Sequence, residues 1–365
     1  MQPKSNIINL PVYQPGKPIE EVKRELGLSE VVKLASNENP YGSSPAVHRA
    51  IQSELENISI YPDGSAADLT ADVARHVGVN RDQVIFGCGS DEIIALITRA
   101  FFLPGDETIM ADQTFSVYKS NADIEGAVSI EVPLKDGTHD LEAMLAAITD
   151  RTKVIWICNP NNPTGTIVNE AELSSFVSRV PKHVMVVIDE AYVEYVTDPS
   201  FPDSVRLLQD NENVVILRTF SKIYGLASLR IGYGLASASV ISLINKVREP
   251  FNTSRFGQAA ARAAIADQDY VRDCREKNAK GIVFLQEEFR AMGLFSFPAH
   301  GNFIMVDVGR ASREVFDELL QKGVIVRPGF SKYPEYIRVT VGSEEQNRVF
   351  LSALKQVLGA ETAQV

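Results

Sequence analysis

Between residues 83 and 220, short runs of β-branched and apolar residues alternate with stretches whose apolar positions recur every three or four residues. The runs are QVIFG (83–87), ETIMA (107–111), VSIEVPL (128–134), KVIWIC (153–158), HVMVVID (183–189) and NVVILRTF (213–220). Segments such as DEIIALITRAFF (91–102) and NEAELSSFVSRV (169–180) carry the helical period between them. Strands that are apolar nearly throughout are buried on both faces, so the rhythm predicts an α/β unit whose mostly parallel sheet is covered by helices on either side. Ligands of such sheets sit beyond the carboxyl ends of the strands.

After about residue 255 the pattern changes. A long helical stretch ends near Met292 and is followed by FIMVDV (303–308), a helix over 311–322, GVIVRP (323–328), YIRVTVG (336–342) and a last helix from about 343. This predicts a smaller α+β unit with its own core. The expected division is an N-terminal arm over 1–30, Pro-rich and of mixed pattern, a large unit over 31–257 and a small C-terminal unit over 258–365. No repeat and no low-complexity segment interrupts it.

The chain of 365 residues with 45% hydrophobic content can fill such cores. A net charge of −11 without a basic tract disfavours a nucleic-acid backbone as the main partner. No signal-peptide core and no apolar run of membrane-spanning length is visible, and Cys88, Cys158 and Cys274 form neither a Cys-x-x-Cys pair nor an even framework, so a cytoplasmic location is expected. The five histidines show no metal-ligand spacing, and no metal is expected.

The chemistry gathers after the runs read as strands. QVIFG leads to Cys88-Gly89-Ser90-Asp91-Glu92 at a helix start, KVIWIC to NPNNPTG (159–165), HVMVVID to Asp189-Glu-Ala-Tyr192, and NVVILRTF to Ser221-Lys222. Each piece has a plain structural explanation: a tight turn, a loop, a helix cap, a solvated lysine. Taken together they meet the needs of pyridoxal phosphate, which requires an amine for its aldehyde, an acid for its pyridine nitrogen, donors for its phenolate oxygen and a phosphate cup. Lys222 is the candidate amine, Asp189 the acid, and Asn162 and Tyr192 the phenolate donors. Gly89 and Ser90 at the helix start, with Thr219, Ser221 and Arg230, form the candidate cup, and Asp91 beside them is a further cofactor-binding candidate.

These motifs resemble the fold-type-I, aspartate-aminotransferase-like pyridoxal-phosphate enzymes over nearly the whole chain. The finer features VYQPGKP, KLASNENPYG (33–42), YPDG (61–64), RTFSKIYGLASLRIGYG (218–234), VREPFNTS (247–254), GVIVRPG and YIRVTVGSEEQN resemble the histidinol-phosphate aminotransferase family in particular. That resemblance implies a homodimer that moves an amino group between L-glutamate and imidazole-acetol phosphate in histidine biosynthesis, with Lys222, Asp189 and Tyr192 catalytic. It further implies that Tyr61 reaches the cofactor phosphate of the partner subunit, that Phe115 stacks on the cofactor, and that Tyr13, Asn39, Arg327 and Arg338 receive the substrate. Some members carry tyrosine where this chain has Phe115 and Phe251; the second change removes a phenol that serves substrate or subunit contacts. Three rival readings use the same groups: a broad aromatic-amino-acid aminotransferase, a decarboxylase of phosphorylated amino acids and a non-catalytic binding module.

Overall fold

The computed structural model describes residues 2–8, 10, 12 and 18–359. Its strands are Val32–Lys33 (β1), Val84–Gly87 (β2), Glu107–Ala111 (β3), Val128–Val132 (β4), Thr152–Cys158 (β5) and Met185–Asp189 (β6). Val214–Thr219 (β7), Gly232–Leu235 (β8), Phe303–Asp307 (β9), Val324–Ile325 (β10) and Tyr336–Thr340 (β11) follow. The helices of the first half are Ile19–Leu26 (α1), Pro45–Ser53 (α2), Ala67–Val77 (α3), Ser90–Phe101 (α4), Val117–Glu125 (α5), Leu141–Ala146 (α6) and Glu170–Arg179 (α7). Those of the second are Ser204–Asp210 (α8), Ala238–Asn245 (α9), Arg255–Ala266 (α10), Gln268–Ala291 (α11), Ser312–Gln321 (α12) and Glu344–Val357 (α13).

Among the described residues, one seven-stranded sheet runs in the order β2-β8-β7-β6-β5-β3-β4. The five strands from β7 to β4 are parallel, whereas β8 is antiparallel to both β7 and β2. Side chains alternate across the sheet. Ile155, Ile157, Val186, Ile188, Val214 and Ile216 enter one apolar cluster, while Val154, Trp156, Cys158, Val187, Val215 and Leu217 enter the other. This two-sided burial is why the strands read as continuous apolar runs.

A smaller unit pairs β9 with β11 antiparallel and packs them on α12, α13 and the second half of α11 around Phe289, Ile304, Val306, Leu319 and Phe350. The 24-residue α11 is about 36 Å long at the usual rise. Val271 and Cys274 near its start join the main-sheet core and Leu285 and Phe289 near its end join the small one, so the helix ties the two together.

The expected α/β architecture is present, with three differences of detail. GYGL (232–235) is a strand that its glycines hid from a β-propensity reading; a Cβ on Gly232 would lie 2.6 Å from the Ser90 backbone nitrogen, so the residue must be small. The run 323–328 is strand only over Val324–Ile325, because beyond it only Arg327 pairs, in an isolated bridge to Arg338, and Pro328 has no N–H to donate. Packing also crosses the boundaries expected at 30/31 and 257/258. β1 pairs with β10 and Leu34 lies in the small core, whereas α10, which the second boundary would cut, buries Ala260, Ala261 and Ala264 in the main core.

Gly225, at φ +71°, lets the turn after Lys222 press against the backbone of Gly42 and Ser43, where an added Cβ would overlap the Gly42 carbonyl. Gly27 has a similar φ of +67° with open space around it. Gly225→Ala should therefore lower the urea midpoint well beyond Gly27→Ala, whose cost is the left-handed backbone penalty of about 1 kcal/mol.

Candidate active site

Strand register sets out the site. Cys158 pairs with Asp189 and Asp189 with Leu217, so the carboxyl ends of β5, β6 and β7 lie side by side. The loops that leave them carry Asn162, Tyr192, Ser221 and Lys222, and β2 delivers Gly89 to the start of α4. All of these line one cavity of about 370 Å³, whose far side is closed by Arg327 and Arg338 of the small unit. Asp91, Phe115, Thr219 and Arg230 line it as well.

Two opposite charges are desolvated there. Burial pushes the Lys222 amine down to about 8, helped by the neighbouring Arg338 cation. Its Nζ donates to the Ser36 carbonyl at 3.3 Å and lies 5.6 Å from the centre of the Tyr192 ring. Burial pushes the Asp189 carboxyl up to about 6, against the pull of a 2.6 Å hydrogen bond donated by the Tyr118 hydroxyl. The Ala191 backbone N–H donates to the other Asp189 oxygen at 3.2 Å.

Tyr192 is buried, which raises its phenol well above the ordinary range, and its oxygen accepts a 2.9 Å hydrogen bond from Asn37 Nδ2. Asn37 in turn is held by Thr340 of β11. The Arg338 guanidinium is pinned by the Asn162 side-chain oxygen at 2.5 Å and the Ala35 carbonyl at 2.7 Å, and it lies over the Phe303 ring at 5.4 Å. Arg327 stands opposite Arg338 through a backbone bridge.

At the other end of the cavity the start of α4 presents free backbone N–H groups. Gly89 has φ +79°, and a Cβ on it would come within 2.5 Å of the Arg230 guanidinium, so glycine is required for that close approach. Arg230 itself sits at φ +50°, a costly backbone state for a side-chain-bearing residue, and reaches Ser221 Oγ at 3.4 Å and the Asp91 carboxylate at 3.4 Å. The Ser221 backbone N–H donates to Thr219 Oγ1 at 3.0 Å. The Asp91 side chain is thus turned toward Arg230.

Not every expected residue meets at this cavity. Asn39 spends its amide on the Ile223 carbonyl at 2.7 Å, beside Cys274 Sγ, and its oxygen on the Tyr41 N–H, so it braces the loop that follows Lys222; Asn37, two residues earlier, lines the cavity in its place. Tyr61 is three-quarters exposed and stacks on Phe251 with ring centres 4.7 Å apart, away from this chain's own cavity. Tyr13 lies outside the described residues. Tyr118, three residues after Phe115, reads in the sequence equally as a pocket border or as a helix-packing residue; two groups escaped that reading, Asn37 and the Arg218–Glu190 pair. In that pair, Arg218 Nε donates at 2.9 Å to the fully buried carboxylate of Glu190, the residue next to Asp189 in the chain.

A desolvated amine and a buried carboxyl at the ends of parallel strands, in one cavity closed by two arginines, make a site able to hold an aldehyde cofactor. The chain matches the family model described as aminotransferase class I and II over residues 29–354 and belongs to that family. It is 56% identical to histidinol-phosphate aminotransferase of Brevibacillus brevis, over 98% of this chain and 99% of that one, and 55% identical to the same-named protein of Geobacillus sp. (strain WCH70), over 98% of each. The crystal structure of histidinol-phosphate aminotransferase from Sinorhizobium meliloti in complex with pyridoxal-5'-phosphate superposes with a TM-score of 0.91 at 29% identity, covering 98% of both chains.

Because Glu190 has no exposure, removing its cation strands a charge. Arg218→Met should cost about 3–5 kcal/mol in chemical denaturation, whereas Arg230→Met, which breaks a half-exposed pair, should cost under about 1 kcal/mol.

Proposed function

We propose that this chain is a pyridoxal-phosphate-dependent transaminase that interconverts L-histidinol phosphate plus 2-oxoglutarate with imidazole-acetol phosphate plus L-glutamate. Full-length relatives at 50–56% identity carry the histidinol-phosphate aminotransferase name, and the matched solved structure holds the cofactor. The observation that carries the reading is the pairing of a desolvated Lys222 amine with a buried Asp189 carboxylate in one cavity closed by two arginines.

The residues fit the cofactor by their chemistry. The start of α4, the Thr219 and Ser221 hydroxyls and the Arg230 guanidinium suit a phosphate dianion, and the glycine at 89 leaves the room beside Arg230 that a side chain would fill. Lys222 suits the aldehyde, Asp189 the pyridine nitrogen, Asn162 and Tyr192 the phenolate oxygen, and Phe115 the ring face. Pyridoxal phosphate, once bound, supplies the electron sink that makes the Cα–H bond of an amino acid acidic.

The chain supplies the rest. Lys222, neutral in about a tenth of molecules at pH 7 when its midpoint is near 8, takes the proton from the substrate Cα and returns one to the corresponding carbon of the incoming oxo acid. Arg338, held planar by Asn162 and the Ala35 carbonyl, is set to receive an oxyanion in bidentate fashion. With Arg327 it binds the glutamate α-carboxylate in one half-reaction and the substrate phosphate in the other. A homodimer, in which the outward-facing Tyr61 reaches the partner's phosphate cup, and a cytoplasmic location complete the proposal. Among the described residues no helix is long and apolar enough to cross a membrane.

Lys222→Ala should abolish steady-state transamination while the protein stays folded; retained turnover would remove Lys222 from the mechanism. Arg338→Lys should raise both Michaelis constants by about tenfold or more, since a point charge cannot replace the fork, and unchanged constants would contradict its role. Only the neutral amine captures the aldehyde, and its fraction grows as pH rises toward the lowered midpoint. Capture of pyridoxal phosphate by cofactor-free protein should therefore accelerate about tenfold per pH unit below about 8 and level off above it. Stopped-flow absorbance measures this, and a plateau only above about 10 would contradict the desolvated amine.

A further inference from the structure

We propose that Tyr118 is a positioning residue for this reaction: its hydroxyl holds the Asp189 carboxylate while its ring holds Phe115, so one side chain fixes both the acid and the apolar face set against the pyridine ring. The proposal rests on the reading of Lys222 and Asp189 as cofactor anchors. Tyr118 is the second residue of α5 and is fully buried. Its ring lies flat on Trp156, with centres 4.8 Å apart and planes 10° apart, and meets Phe115 edge-on at 5.6 Å. Trp156 is itself tethered by a 2.8 Å hydrogen bond from its indole N–H to Thr108 Oγ1. The tyrosine oxygen therefore has little freedom, and it ends 2.6 Å from Asp189 Oδ2.

Packing alone does not require that oxygen. Phenylalanine would fill the same stack, and a hydroxyl buried there costs desolvation unless it is paired. Among the described residues only Tyr118 and the Ala191 backbone N–H donate hydrogen bonds to Asp189. The other titratable groups around the carboxylate are Asp91 and Glu190, acids that favour its protonated form, and Cys158 and Tyr192, a thiol and a phenol held neutral by burial. Burial raises the Tyr118 phenol too, so it remains a donor throughout the working pH range. Its hydrogen bond favours ionised Asp189, the form able to keep a pyridine nitrogen protonated.

The test is Tyr118→Phe, made alone and together with Asp189→Asn, with two readouts on cofactor-loaded protein besides turnover: the equilibrium dissociation of pyridoxal phosphate and the pH midpoint of its visible absorption. The single substitution should weaken cofactor binding by about tenfold, displace the midpoint and lower kcat more than it raises KM. In the Asp189→Asn background the same change should alter affinity less than about twofold, because the group it acts through is gone. Equal losses in both backgrounds would reduce Tyr118 to a packing residue, and no loss in either would remove it altogether; both results overturn the proposal. If Asp189→Asn alone leaves affinity and spectrum unchanged, the anchor reading of Asp189 falls, and the proposal falls with it.

Discussion

The parallel register of β5, β6 and β7 is the constraint on which the site depends. Cys158 faces Asp189, and Asp189 faces Leu217, so three strands end level and release their loops into one space. Asp189 shares a sheet face with Val187, Trp156 and Leu217, the face covered by α4 and α5. That is why Tyr118, on α5, meets the carboxylate from beneath. A slip of one residue in β6 would turn Asp189 toward the opposite helices and separate it from both Tyr118 and the cavity. Apolar β-branched residues buried on both faces make such a slip costly.

On this frame the protein holds charges where solvent does not shield them. Burial drives the Lys222 amine toward neutrality and the Asp189 carboxyl toward protonation; the neighbouring Arg338 presses the lysine further down, whereas the Tyr118 hydroxyl holds the aspartate back. Behind them Arg218 neutralises Glu190, which fixes the turn from Asp189 to Tyr192 without adding a free charge. Strongly shifted groups gathered at one place mark a working site more than a stabilising one.

The sequence showed the α/β frame because two-sided burial writes itself as uninterrupted apolar runs. It also pointed to Lys222, Asp189, Asn162 and Tyr192, since polar groups just after such runs stand at the strand ends, and to Arg230 as a cation among apolar neighbours; all five line the cavity. β8 was hidden because closeness to α4 demanded glycines at 232 and 234, which carry no strand signal. Asn37 stayed unseen since its partners, Tyr192 and Thr340, are 155 and 303 residues away, and nothing local distinguishes it from Asn39. Tyr118 read equally as a pocket border or as helix packing, and only the stacked Trp156 and the hydroxyl aimed at Asp189 decide between the two. Arg218 lay within a strand run, where its partner one residue beyond Asp189 could be found only from the strand pairing.

The central claim is that Arg327 and Arg338 of this cavity accept the phosphate of histidinol phosphate as well as the α-carboxylate of glutamate, so that histidinol phosphate is preferred over an aromatic amino acid. It is tested most directly by adding L-histidinol phosphate or L-phenylalanine to cofactor-loaded protein and following loss of the cofactor's visible band. Bleaching by histidinol phosphate at far lower concentration is the result the account requires of Arg327 and Arg338. Equal or better bleaching by phenylalanine would contradict it and make the chain a general aromatic aminotransferase on the same scaffold.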